Sequence, residues 1–150
     1  MSNRASGVSS VKILIVDRNS FWTQWATQVL ETDGYEVKVL ESLEEAADLL
    51  GGKDFDLVVL GADIAKKQTE TISKLAKRPR DPIRFLIIYP VRPSYSMLRL
   101  LWKAGASEIQ LKPYNRRELL AMIASESQAA ESARWHLSHH RQVSAHAGAC

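Results

Sequence analysis

Cysteine is almost absent from this 150-residue chain, since the single cysteine, Cys150, is the last residue. No internal disulfide can form, and no cysteine-based metal site is available. Long apolar runs are also missing, because no stretch approaches the roughly 18 residues that a membrane span needs. Residues 1–10 lack the apolar segment of a secretory signal. We therefore expect a cytoplasmic protein with no membrane contact.

Neither sign of charge dominates the chain, which has 20 Lys and Arg against 17 Asp and Glu, a net charge of +3. So small an excess is common in proteins that never contact nucleic acid. The densest basic stretch, residues 74–84, contains no aromatic residue, whereas single-strand binders interleave charges with stacking aromatics. A solvated helix end is favoured there over a contact with nucleic acid or an acidic partner.

Enzyme motifs are missing as well. The sequence has no G-x-S-x-G elbow, no P-loop and no Gly-rich dinucleotide turn, so hydrolase and nucleotide chemistry have no support. Four histidines all lie late in the chain, and a metal site at His136, His139 and His140 is less favoured than a solvated tail, because no acidic or cysteine partner is adjacent. We expect no enzyme activity.

Five apolar runs alternate with five helical patterns: VKILIV (11–16), YEVKVL (35–40), FDLVVL (55–60), IRFLIIY (83–89) and EIQL (108–111). This alternation predicts one domain with a parallel sheet between two layers of helices. The first, third and fourth runs are almost continuously apolar, as in central strands, whereas the second and fifth carry polar residues, as in edge strands. A strand order of 2-1-3-4-5 satisfies these burial demands.

Capping residues mark the predicted helices. We expect caps at Ser20, at Ser42 with Glu45, at Ser94 after Pro93, and at Asn115 with Glu118, with ends at Gly34, Gly51 and Gly105. The third helix is predicted over residues 64–77, and the fifth is expected to continue to about residue 137. Helical spacing predicts core or interface packing for three tryptophans, Trp22, Trp25 and Trp102.

In an open parallel sheet the functional crevice lies beyond the carboxyl ends of the strands, where the winding reverses. Here that point falls between the first and third strands. The rule selects the residues that follow strands one, three, four and five: Asp17, Arg18, Gly61, Tyr89, Pro90, Lys112 and Pro113.

The segments ILIVDRNS, DLVVLGADI, AGASEIQLKPY and RRELLAMI occur in order along residues 11–124. With these motifs the chain resembles the receiver domains of response regulators in two-component signalling. The resemblance implies a flavodoxin-like, doubly wound (βα)5 fold over residues 11–124. Residues 1–10 are then expected to be a flexible lead, and residues 125–150 a helix extension followed by a disordered tail.

In receivers, the first strand ends in two acidic residues, the third in the aspartate that accepts phosphate, the fourth in Thr or Ser, and the fifth in Lys-Pro. The carboxylate attacks the phosphoryl donor, Mg²⁺ neutralises the developing charge, and the lysine and hydroxyl hold the phosphoryl oxygens. Asp17 and Lys112-Pro113 match this pattern. The resemblance also implies a cis bond between Lys112 and Pro113.

Three departures from the family pattern remove the phosphorylation chemistry. Arg18 replaces an acidic metal ligand, Gly61 replaces the phosphoacceptor, and no Thr or Ser stands near Tyr89-Pro90. Ile109 takes a position where many receivers carry a Tyr or Phe. We expect neither Mg²⁺ nor another cofactor, and no phosphorylation by small donors.

Three interpretations of the altered pocket remain. Asp17 and Lys112 are predicted to form an ion pair that joins strand one to the loop after strand five. Alternatively, the space at Gly61 and the cations Arg18 and Lys112 admit a small anion or ligand. A third interpretation makes Asp63 a displaced phosphoacceptor, although it lacks a metal site.

The favoured function is a degenerate pseudo-receiver that acts as a phosphorylation-independent interaction module; the alternative is a receiver whose altered pocket still binds a ligand or accepts phosphate. Its partner is expected to be a signalling or transcription-control protein or a second copy, and nucleic acid is disfavoured. The resemblance places the contact surface on the fourth helix, fifth strand and fifth helix: Tyr95, Arg99, Trp102, Lys103, Glu108, Arg116 and Arg117. In the competing interpretation, Trp102 packs inward against Leu119 or Ile123.

Overall fold

The computed structural model describes the backbone of residues 11–51 and 55–148, and the side chains of residues 11–50 and 55–132. The predicted lead, residues 1–10, lies outside the described residues. Strands and helices alternate in the order β1 (Lys12–Val16), α1 (Ser20–Thr32), β2 (Glu36–Leu40), α2 (Leu43–Gly51), β3 (Leu57–Gly61), α3 (Ala62–Ala65), α4 (Thr69–Ala76), β4 (Phe85–Tyr89), α5 (Tyr95–Ala104), β5 (Glu108–Leu111) and α6 (Arg116–Gly148).

The five strands form one parallel sheet in the order β2-β1-β3-β4-β5. This confirms the predicted fold and strand order. Every residue of β3 and β4 is buried, whereas β2 and β5 at the two edges are only partly covered. Strands covered on both faces must be apolar throughout, which is why continuity of apolar residues identified the centre of the sheet.

Alternate residues of each strand enter two separate cores. Leu14 and Val16 of β1 face a core completed by α2, α3, α4 and α5. Ile13 and Ile15 face the other core, which α1 and α6 complete. The period of two along a strand therefore determines which helical layer each side chain meets.

Helix capping follows the predictions at three helices and differs at α1. The side chains of Ser42, Ser94 and Asn115 each accept a backbone N–H three residues later, at 2.8 to 3.3 Å. The cap of α1 is Asn19, not Ser20, because Asn19 keeps an extended backbone and its Oδ1 accepts the N–H of Trp22 at 3.1 Å. Ser20 is already the first helical residue.

The single helix predicted over residues 64–77 is wrong, since two short helices, α3 and α4, occupy this region. Gln68 between them leaves helical geometry. Its side chain donates to Glu44 of α2 at 3.3 Å and accepts from the Thr71 hydroxyl at 3.2 Å. Bonds to a neighbouring helix thus compete with continuation of the helical backbone.

The last helix, α6, continues to Gly148, eleven residues beyond the predicted end near residue 137. No Pro or Gly occurs between residues 116 and 147, so the sequence contains no helix breaker before Gly148. Within the domain, α6 buries Leu119, Met122, Ile123, Glu126 and Ala130. Across the described residues, no helix is both long and apolar enough to cross a membrane.

Candidate functional site

A small cavity of about 150 Å³ lies at the carboxyl ends of β1, β3 and β4, where the winding of the sheet reverses. Its position agrees with the topological rule for open parallel sheets. The residues around it come from the loops after β1, β4 and β5, from the ends of β3 and β4, and from α3: Asp17, Arg18, Asn19, Gly61, Ala62, Asp63, Ile64, Ile88, Pro90 and Lys112.

The predicted ion pair between Asp17 and Lys112 is present. Oδ2 of Asp17 lies 2.8 Å from Nζ of Lys112, and both side chains are at least nine-tenths buried. The angles of this contact fall outside hydrogen-bond geometry, so it is a charge contact. Oδ1 of Asp17 accepts the N–H of Asn19 at 2.9 Å. Both carboxylate oxygens are therefore engaged within the chain.

Gly61 has no side chain, and the Asp17 carboxylate lies beside the position that a Cβ atom would take. A Cβ atom built on Gly61 would lie 3.1 Å from Oδ2 and 3.2 Å from Cγ of Asp17. The backbone of Gly61 has φ −64° and ψ 138°, which any residue adopts. Glycine is therefore not required by backbone geometry here, and its effect is to leave room beside Asp17.

Trp22 of α1 covers the ion pair, a role that the sequence did not reveal. The Lys112 Nζ lies 4.8 Å from the centre of a Trp22 ring. The indole Nε1 donates to the carbonyl of Pro113 at 2.8 Å. With 4% of its surface exposed, Trp22 packs in the core as predicted, and it also fixes the loop after β5 against α1. The Lys112–Pro113 bond is trans, contrary to the expectation, since no cis bond occurs among the described residues.

The end of β4 presents apolar side chains to the cavity where receivers carry a hydroxyl. Gly61 pairs in register with Ile88, and Ile88 and Pro90 line the cavity. Tyr89, predicted as a pocket residue, does not line this cavity. Alternation along β4 turns its side chain into the core that α2, α3, α4 and α5 complete. Its hydroxyl is buried without a hydrogen-bond partner among the described residues. Burial raises the pKa of Tyr89, and the Asp63 carboxylate adds to the rise.

The charges around the cavity cancel. Asp17 and Asp63 oppose Arg18 and Lys112, all four of which line it. Asp63 is largely exposed and lies 3.8 Å from Nζ of Lys66. The formal charges of these four lining side chains sum to zero, so the anion interpretation has no excess of positive charge in its favour.

The cavity residues do not fit the Mg²⁺ of a receiver. One oxygen of Asp17 contacts an ammonium group, and the guanidinium of Arg18 stands where a second acidic ligand would be needed. Nowhere in the described part of the chain do three His, Cys, Asp or Glu side chains gather as a metal site would require.

The predicted interaction surface lies on α5, β5 and α6. Tyr95 is 75% exposed, Trp102 is 46% exposed, and the guanidinium of Arg99 lies 5.9 Å from the Tyr95 ring centre. Lys103, Arg116 and Arg117 are exposed, and Glu108 is half-buried. Packing of Trp102 against Leu119 or Ile123 is wrong, because those two residues belong to the core on the opposite face of the sheet.

Residues 13–124 match the family model of the response regulator receiver domain, so the chain belongs to this family. The chain is 34% identical over 113 residues to the transcriptional regulatory protein CpxR of Escherichia coli K12. The aligned segment covers 75% of this chain and 47% of CpxR. This chain thus spans about half the length of the curated relatives that it matches.

Two solved structures illustrate the likeness in three dimensions. A CheY-like receiver domain from Methanospirillum hungatei aligns with a TM-score of 0.71 and 26% identity, over 83% of this chain and 98% of that one. A response regulator from Burkholderia pseudomallei, solved with a phosphorylated aspartic acid and a calcium ion, aligns with a TM-score of 0.62 and 24% identity, over 93% of this chain and 86% of that one. The second likeness shows the fold alone.

Proposed function

We propose that this chain is a pseudo-receiver in two-component-type signalling, which acts through protein contacts and not as an enzyme or a phosphoryl acceptor. The observation that carries the proposal is the bare position at Gly61, beside which the Asp17 carboxylate is paired with Lys112. Receiver phosphorylation needs a carboxylate there and a metal ion to neutralise the attacking charge. Gly61 supplies no nucleophile, and the Asp17 carboxylate is held by Lys112 at 2.8 Å.

The internal contacts of the pocket also favour a single signalling state. Lys112 is neutralised by Asp17 and covered by Trp22. A receiver that switches needs its lysine to contact an incoming phosphoryl group, whereas this lysine already has a buried anionic partner. Partner concentration, not phosphate, would then govern signalling.

The working surface of this function is α5–β5–α6, where exposed aromatics are surrounded by charges. Tyr95 and Trp102 supply large apolar area on α5, where the Arg99 guanidinium lies 5.9 Å from the Tyr95 ring centre and Lys103 is exposed next to Trp102. Arg117 is exposed at the start of α6. An aromatic anchor within a charged rim is the usual composition of an interface. The partner on this surface is a signalling or transcription-control protein or a second copy of the chain, in keeping with the transcriptional regulators among its relatives.

Sedimentation velocity tests whether a second copy of the chain is the partner. If the partner is a different signalling or transcription-control protein, a binding measurement with that isolated protein is the test. Wild type is compared with Trp102→Ala and Glu108→Arg, each with and without acetyl phosphate and Mg²⁺. We expect both substitutions to weaken association and the phosphodonor to change nothing. Association that appears only with the phosphodonor would contradict the proposal, and would point to Asp63 as the acceptor. Val39→Ser, an exposed change on the far edge strand β2, is the control.

A further inference from the structure

The strand β2 lies at one edge of the sheet, and within the described residues only β1 pairs with it. The N–H of Glu36 donates to the carbonyl just before β1 at 3.0 Å, and the carbonyl of Leu40 accepts the N–H just after β1 at 3.2 Å. Bonded residues alternate along a parallel ladder, so Val37 and Val39 direct their N–H and C=O groups away from β1. The outer side of β2 therefore presents these backbone groups to a further strand.

A groove lies on each face of the sheet beside β2. On the α1 side, a groove of about 560 Å³ is lined mainly by polar residues of α1, among them Gln28 and Glu31. On the α2 side, a groove of about 320 Å³ is lined by the partly buried Leu49 and Phe55 and by Glu36. Successive side chains of a strand point to opposite faces, so a strand added to β2 places its side chains alternately in the two grooves.

The region around this edge is acidic. Residues 31–48 contain seven acidic side chains and one lysine. Glu31 and Glu36 line the two grooves, and Glu36 has a cation close by, Lys12 at 3.9 Å. Acidic side chains outnumber cations around β2, so a second copy, whose β2 edge has the same charges, is repelled. A basic segment is attracted.

We propose that the outer side of β2 binds an extended segment of a partner protein in which apolar residues alternate with Lys or Arg. The segment adds a sixth strand to the sheet and forms hydrogen bonds with the outward groups of Val37 and Val39. Its apolar residues pack on Leu49 and Phe55, and its basic residues lie beside Glu31. Because β2 and β5 are at opposite edges of the sheet, the inference goes beyond the proposed function and does not depend on it.

Fluorescence anisotropy with the full wild-type chain and a labelled synthetic peptide, KVRIKVRIK, tests the proposal. Two control peptides have the same charge. IVKRKRKVI has the same composition without the alternation, and an N-methylated form of KVRIKVRIK keeps every side chain but can donate no backbone hydrogen bond. Attraction between charges alone would bind all three peptides equally. We expect a Kd about tenfold higher or more for each control than for KVRIKVRIK.

Substitutions in the chain test the backbone contact separately. Val39→Pro removes an outward N–H and leaves the residues that bond to β1 unchanged. It should raise the Kd for KVRIKVRIK about tenfold or more, whereas Val39→Thr, which keeps the N–H, should raise it less. Glu31→Lys should also weaken binding. In wild type, saturating peptide should slow the amide hydrogen exchange of Val37 and Val39, measured by NMR, about tenfold or more.

Two results would overturn the proposal: binding of KVRIKVRIK no tighter than that of the two control peptides, or exchange at Val37 and Val39 that the peptide leaves unchanged. Both measurements use wild type, so they decide the question even if Val39→Pro does not fold, which circular dichroism verifies. Neither involves a phosphodonor or the α5–β5–α6 surface, so failure of this inference is distinguishable from failure of the proposed function.

Discussion

The carboxylate of Asp17 lies directly over the bare Cα of Gly61, so that a Cβ atom there would come within 3.1 Å of Oδ2. In a receiver with an intact pocket, these two positions carry two acidic side chains that share a metal ion. Here the second position has no side chain, and the carboxylate of Asp17 lies beside it, paired with the ammonium group of Lys112.

Two replacements of Gly61 distinguish the effect on stability of a side chain beside Asp17 from the effect of a second negative charge there. Gly61→Ala should change the free energy of unfolding by less than about 1 kcal/mol, because restricting the unfolded chain gains about 0.4–1 kcal/mol and a small shift of Asp17 offsets it. Gly61→Asp adds a carboxylate beside Asp17 and should be at least about 1 kcal/mol less stable than Gly61→Ala. Urea denaturation measures both, and equal stabilities at neutral pH would contradict the close approach of Asp17.

Breaking the buried ion pair should be costly. Lys112→Met leaves the Asp17 carboxylate buried without its partner and should lower the free energy of unfolding by about 3 kcal/mol. The double variant Asp17→Asn, Lys112→Met removes both charges while the amide oxygen still accepts the Asn19 N–H. It should recover a clear part of the loss. If the double variant is less stable than Lys112→Met in urea, the pair is not the source of the effect.

The strand order was predictable because burial on two faces forces continuous apolar sequence, and this signal is local to each strand. The direction of the Tyr89 side chain was not predictable, because a difference of one residue in register moves a side chain to the opposite face of the sheet. The ion pair was predictable from its charges and topology. The cover by Trp22 was not, since its indole bonds to a carbonyl 91 residues away that carries no side-chain signal.

The Trp22 contacts should contribute measurably to stability. Trp22→Phe keeps an aromatic ring but loses the Nε1 hydrogen bond and leaves the buried Pro113 carbonyl without that donor. We expect a loss of about 1–2 kcal/mol in the free energy of unfolding. The matched control is Trp25→Phe, a half-buried neighbour on the same helix, which should lose less. The reverse ranking would show that Trp22 is only a core residue.

Glu126 of α6 should make stability depend on pH. It is 4% exposed, and burial raises its pKa above 4.5, with Arg84 at 3.4 Å opposing the rise and Glu108 adding to it. A carboxyl whose folded pKa is raised binds protons more readily in the folded state. Its contribution therefore becomes more favourable as pH falls through the folded pKa toward 4.5.

The Glu126→Gln variant removes this titration and is the reference. The free energy of unfolding of wild type, relative to that of Glu126→Gln, should rise as pH is lowered from 7 toward 4.5. Urea denaturation of both proteins at several pH values measures the difference. A difference that stays constant, or that becomes smaller as the pH is lowered, would contradict the assigned direction.

Whether the chain accepts phosphate on an aspartate is tested most directly by the intact mass of the full chain after treatment with acetyl phosphate and Mg²⁺. A phosphorylatable response regulator with the complete acidic pocket, treated in parallel, shows that the donor is active. We predict no mass gain for wild type, because Gly61 offers no nucleophile and Asp17 is bound to Lys112. A stable gain of one phosphoryl group by wild type, lost in Asp63→Asn, would contradict the account.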